Sequence, residues 1–166
     1  MPVVTPSFVD VEWRRVTDPA FREHRVDFEY SLLGYDLPSG RLDMLLRYAP
    51  DSGHCRRHRH VAATVTLVLE GEQILTERMP DGTTMTVRRR KGVYALAPAD
   101  ARPHDEHGGE AGGTVLLSMT ARDGILFEYF DEDWSNAWTV SIEQYVDSWN
   151  HGTVYGANPS GAAAAR

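Results

Sequence analysis

From Val26 to Phe130 the chain alternates short apolar-rich runs with turn residues and never sustains a helical period of useful length. That pattern allows few folds. The expected strands are Val26–Leu33, Arg41–Tyr48, His58–Leu69, Glu72–Arg78, Thr83–Arg89, Val93–Ala97, Thr114–Met119 and Ile125–Phe130. Arg41–Tyr48 alternates cleanly, placing Leu42, Met44, Leu46 and Tyr48 on one face. Leu37–Gly40, Pro50–Gly53 and Pro80–Gly82 carry turn chemistry. Glu70-Gly71 reads as a corner, and Gly108–Gly113 reads as a flexible loop. Regularly spaced short strands of this kind predict an all-β sandwich or barrel and argue against βαβ units.

The flanks differ. Residues 1–25 read as an irregular N-terminal arm, pinned by Trp13 and Phe21, with Asp18 and Pro19 opening one or two helical turns. Ile142, Tyr145, Val146 and Trp149 fall at helical spacing behind Ser141, a natural N-cap, so 134–157 is expected to hold a short helix and an extension. The small-residue tail 158–166 is expected to be disordered. The barrel proper is assigned to 26–133.

At 166 residues the chain is most simply one domain that needs no disulfide staples. A formal charge of −7 argues against general binding to nucleic acid or to an anionic membrane. Arg56, Arg57 and Arg59, and separately Arg88–Lys91, read as solvated strand and turn charge. The single cysteine, Cys55, permits no internal disulfide. If its segment is extended, Cys55 faces away from His54, His58 and His60 as an inert thiol. The N-terminus lacks the pattern of a signal peptide, and no apolar run has membrane-spanning length, so a cytoplasmic protein is expected.

His54-Cys55-Arg56-Arg57-His58-Arg59-His60 holds three of the seven histidines. Residues two apart on a strand share a face, so His58 and His60 aim two imidazoles at one point. Neutral imidazole is the commonest side-chain metal ligand near neutral pH. A third comes from beyond the separate strand Gly92–Ala97, where His104 follows Pro103.

These residues resemble the cupins, small jelly-roll barrels that hold a metal. Gly53, His58, His60, Thr64 and Gly71 are similar to the first cupin motif, and Gly92, Pro98, Asp100 and His104 to the second. Arg57–His60 together with Val68–Gly71 is similar to dihydroxyacetophenone-dioxygenase-like cupins, as are Gly124–Asp133 and the short C-terminal helix. The resemblance implies a double-stranded β-helix and a metal centre of His58, His60 and His104. The chain departs from the motifs in placing Thr64 where a carboxylate is usual, Asp100 where Gly is usual, and Ala97 where a Glu often stands. Pro103 shifts the second-motif histidine by one place, which makes His107, and after it His54, alternative ligands. Thr64 is expected near the metal, and its neutral hydroxyl leaves the ion more positive.

Three nitrogens with open positions suit Fe(II), and also Zn, Ni or Mn. The resemblance implies an Fe(II) dioxygenase cleaving a hydroxyketone- or diketone-like small molecule between apolar walls on Arg41–Tyr48 and Thr114–Met119. The alternatives are a zinc-type isomerase or cyclase acting on an enolisable polyketide-like substrate, and a non-catalytic small-molecule-binding cupin. A homodimer is expected, with no nucleic-acid or membrane partner.

Overall fold

Strand β3 (Arg41–Tyr48) has the bounds its alternation implies, and Leu42, Met44, Leu46 and Tyr48 are buried on its inner face. Each such side chain contributes roughly 1.5–3 kcal/mol by leaving water. The structure, a computed structural model, describes residues 10–156. The remaining strands are β1 (Arg14–Asp18), β2 (Val26–Asp36), β4 (His58–His60), β5 (Ala63–Arg78), β6 (Thr84–Arg90), β7 (Tyr94–Ala97), β8 (His104–Thr120), β9 (Ile125–Tyr129) and β10 (Trp138–Ser141), followed by helix α1 (Ile142–Asn150). The strands form one ten-stranded sheet curled on itself, and every paired strand is antiparallel.

Two long strands make the curl. β5 and β8 each run through both halves of the sheet. Their C-terminal and N-terminal parts pair along 73–77 and 104–108, and their other parts along 63–71 and 113–120. On one side the order continues through β3, β2 and β1, and on the other through β4, β9 and β10. The pairing shifts register beside Glu70 and beyond Gly71. Gly71 takes φ 62° there, a left-handed conformation that glycine adopts without penalty. Gly113 faces it, and a Cβ on Gly113 would lie 2.1 Å from the Glu72 carbonyl oxygen. Glu70-Gly71 and Gly108–Gly113 are therefore bends inside continuous strands, not the expected corner and flexible loop.

The arm also differs from expectation. Arg14–Asp18 is a strand paired with β2, and Asp18 starts a turn rather than a helix, its carboxylate accepting from the Ala20 amide at 3.2 Å. The segment 1–9 and the tail 158–166 lie outside the described residues. Helix α1 opens with a capping box: Ser141 Oγ accepts from the Gln144 amide at 3.1 Å, and Gln144 Oε1 accepts from the Ser141 amide at 2.9 Å. Ile142, Tyr145 and Val146 bury the apolar stripe against the open edge of the curl. Among the described residues no helix is long and apolar enough to cross a membrane.

Candidate metal centre

His58 and His60 flank Arg59 on β4, and both side chains are buried. β4 pairs with β8 so that His58 and His104 are direct partners. His104, the first residue of β8, therefore joins the pair from across the sheet. Asp100 makes this register workable. It takes φ 60°, the conformation usually reserved for glycine and tolerated by Asp, and Arg59 holds its carboxylate at 2.9 Å. Two residues beyond His104, Glu106 is 1% exposed and points the same way. Ligand atoms of His58, His60, His104 and Glu106 all lie within 4.8 Å of one another.

Glu106 was missed by the sequence reading. Its spacing from His104 is the same as that of His60 from His58. The glycines at 108, 109, 112 and 113 that follow hide the strand on which that two-residue period holds.

The tautomers follow from the hydrogen bonds. A carbonyl oxygen only accepts, so the Nδ1 of His58 donates to Arg56 O at 2.7 Å and that of His104 to Arg102 O at 2.9 Å. Thr64 Oγ1 spends its proton on Ala62 O, so it accepts from His60 Nδ1 at 2.8 Å. All three imidazoles therefore turn Nε2 toward the cluster. Thr64 stands behind His60 and orients it, on the side away from the cluster.

His58 Nε2 and His60 Nε2 are 3.2 Å apart. Burial, and then the neighbouring His104, pushes His58 down to about 4. Burial, His58 and His104 hold His60 well below its ordinary value. Neither ring carries a second proton at neutral pH, so two lone pairs face each other. Two nitrogens bound to one ion at about 2.1 Å, with an angle between 90° and 109°, sit roughly 3.0–3.4 Å apart. His104 Nε2 is likewise buried without a hydrogen-bond partner, 3.6 Å from Glu106 Oε2. The residues present fit a divalent cation.

Burial disfavours a charge on Glu106, but the neighbouring imidazoles, His104 first, outweigh burial and hold its pKa far below the usual carboxylate range. Tyr48 donates to Oε1 at 2.7 Å, and Gln73 Nε2 lies 3.3 Å from Oε2. Burial likewise opposes charge on His104, yet the Glu106 carboxylate raises its pKa. A cation in the cluster takes over the role of that proton.

The other sequence candidates lie elsewhere. His54 and His107 stack on each other with ring centroids 4.4 Å apart, and His24 stacks on His54 at 4.0 Å. Neither His54 nor His107 belongs to the cluster. The alternation of an extended segment turns Cys55 away from His58, but 55–57 is not part of a strand and bends at Arg57, and Sγ lies 3.5 Å from Glu106 Oε1. Burial pushes its thiol well above the ordinary value, so it remains protonated. Arg56 and Arg57 are buried, not solvated: Arg57 pairs with Glu23 and Asp105, and Arg56 with Asp18.

No protein-family model and no curated protein matches the chain. Solved structures do. A putative acetylacetone dioxygenase from Methylibium petroleiphilum is 17% identical, with 90% of this chain and 97% of that one covered at a TM-score of 0.60. An acetylacetone dioxygenase from Acinetobacter johnsonii is 13% identical over 91% and 92% of the two chains, at a TM-score of 0.62. A mutant of Bacillus subtilis oxalate decarboxylase is 17% identical, with 89% of this chain aligned to 36% of that one at a TM-score of 0.53.

The chain has the cupin fold. The interior of the jelly roll is the buried face of the curled sheet, and this chain fills it with His58, His60, His104 and Glu106. Phe127 and Tyr129, the β9 partners of His60 and His58, border the imidazoles, with ring centroids 5.2 Å from His60 and 5.6 Å from His58 respectively.

Proposed function

We propose that this cupin is a metal-dependent dioxygenase cleaving a hydroxyketone- or diketone-like small molecule, with Fe(II) as the favoured ion. The observation that carries the reading is the convergence of three Nδ1-protonated imidazoles, two of them 3.2 Å apart nitrogen to nitrogen, on the buried Glu106. The acetylacetone dioxygenases of the same fold support the choice of substrate class.

His58, His60 and His104 would hold the ion through Nε2, with Glu106 beside them. A divalent ion there supplies Lewis acidity toward substrate oxygens and, as Fe(II), a redox centre for oxygen chemistry. The chain supplies the rest. Backbone carbonyls and Thr64 lock the imidazole orientations, which second-sphere partners of this kind do in metal sites generally. Tyr48 and Gln73 keep Glu106 in place. One negative side chain leaves a bound divalent ion with a net positive charge, suited to an enolate oxygen. Leu42, Met44, Leu117 and Met119, all buried, exclude bulk water from the interior.

Anaerobic loading with Fe(II), followed by oxygen and a panel beginning with acetylacetone, tests the reading. Oxygen consumption with cleavage of the substrate is expected, and His58→Ala is expected to abolish metal uptake. Full metal content in that variant would overturn the assignment. Turnover of an enolisable substrate without oxygen uptake would replace it with the isomerase or cyclase alternative.

A further inference from the structure

Beyond the metal cluster, the cupin interior continues into an aromatic box closed by one residue from outside the sheet. Tyr155 is 4% exposed although it lies past the end of α1. Its ring packs against Tyr145 at 4.5 Å, Tyr30 at 4.6 Å and Phe127 at 6.1 Å between centroids. Phe127 and Tyr129 are the only rings that separate it from the histidines in this chain of contacts. On its other side Tyr155 lines a surface cavity of about 280 Å³ between β10 and α1, together with Trp138, Ser148 and Val154. Tyr155 thus stands between solvent and the layer that borders the cluster.

Two observations mark this place as made for a ligand. Tyr145 Oη and Trp138 Nε1 are buried without hydrogen-bond partners, although such donors are almost always paired. Tyr145 touches the Tyr155 ring, and Trp138 shares the surface cavity with it while stacking on Tyr129 at 5.8 Å. The segment that carries Tyr155 is also lightly held beyond Thr153, whose amide donates to Ser148 O at 2.9 Å. It runs between Gly152 at φ 70° and Gly156 at φ 76°. A Cβ at Gly152 would meet open space, whereas one at Gly156 would press on the Tyr129 ring at 3.2 Å. Among the described residues, Val154–Gly156 make no backbone hydrogen bond to any strand. The carbonyls of Thr153 and Tyr155 accept only long bonds, 3.4 Å each, from Tyr30 Oη and Arg56 Nη1.

We propose that Tyr155 occupies the substrate slot and gates it: the strap Gly152–Gly156 swings outward, and a flat molecule with a hydroxyl or carbonyl group takes the place of the phenol ring. Tyr145 and Trp138 donate to its oxygen, while Tyr30, Phe127 and Tyr129 wall its plane. The slot therefore selects aryl-bearing over purely aliphatic ketones. The substrate part rests on the dioxygenase reading, but the slot and the strap do not.

Two measurements on the full chain test the proposal. Hydrogen exchange of the unmodified protein is expected to show the Val154–Gly156 amides opening at least about 10-fold faster than those of β8, as a local event. Exchange of the strap at the β8 rate overturns the gate. In metal-free Tyr155→Gly, p-cresol is expected to raise the melting temperature by on the order of 3 °C or more, and p-xylene by less. Adding Tyr145→Phe is expected to reduce the preference for p-cresol. A folded Tyr155→Gly that p-cresol does not stabilise overturns the slot. If that variant does not fold, Tyr155→Ala takes its place, and the exchange experiment decides the gate regardless. Absence of metal from the purified and reconstituted protein would sink the dioxygenase reading while leaving both measurements decisive here.

Discussion

Glu106 follows His104 by two residues on β8 and lies 3.6 Å from its Nε2 across the interior of the barrel. The strand period turns a pair that is unremarkable in sequence into half of a four-residue cluster. Glu106→Gln keeps the shape and can still accept from Tyr48, but it removes the charge and the oxygen that accepts from Gln73 Nε2. We expect the variant to fold and its divalent-metal affinity to drop about 10- to 100-fold, as removal of a supporting partner does in metal sites. Competition against a chelator of known strength measures the loss. Unchanged affinity would remove Glu106 from the centre.

Thr64 substitutes function for charge. Its hydroxyl accepts from His60 Nδ1 and donates to Ala62 O, so it fixes the tautomer that offers Nε2. Thr64→Val keeps the volume and leaves His60 Nδ1 without its acceptor. We expect metal affinity to fall about 10-fold and stability by about 1–3 kcal/mol. Thr64→Ser is expected to restore most of both, as read by the same titration and by urea unfolding.

The sequence carries the all-β class, β3 to the residue, the capped helix and the three histidines, because each rests on a local period or a local cap. It hides whatever depends on two distant segments meeting. Glycines in pairs usually interrupt strands, yet Gly71 and Gly113 are there because β5 and β8 cross too closely for a side chain. Arg57 looks like surface charge until Glu23 and Asp105 arrive from either side. Cys55 faces inward because the chain bends at Arg57 before β4 begins, which no alternation rule foresees.

The crossing of β5 and β8 also sets a stability test. A methyl group at residue 113 would overlap the Glu72 carbonyl, which is backbone and has little room to yield. Gly113→Ala is expected to cost about 1–3 kcal/mol, the usual range for overpacking. Gly34→Ala is the control, because a Cβ there meets nothing within 4 Å and, as at Gly113, φ is not positive. Equal loss in both variants, by urea midpoint, would show that the crossing does not limit residue 113.

The stacked histidines outside the cluster predict acid sensitivity. Burial first, then His24 and His107, pushes His54 from an ordinary 6.5 down to about 4, against the opposing pull of the Ser52 carbonyl and Asp105. Its folded form therefore binds fewer protons than the unfolded chain between those two values. The stabilising contribution is fully present above about pH 6.5, declines as pH falls, and is exhausted near pH 4. His24, which stacks on the same ring and is itself lowered by burial, shifts in the same direction. Urea midpoints of the metal-free protein at pH 7.5, 6 and 5 are expected to fall steadily. In His54→Gln the slope is expected to flatten, because glutamine replaces the ring with a side chain that does not titrate. A slope unchanged by that substitution would place the acid-labile group elsewhere.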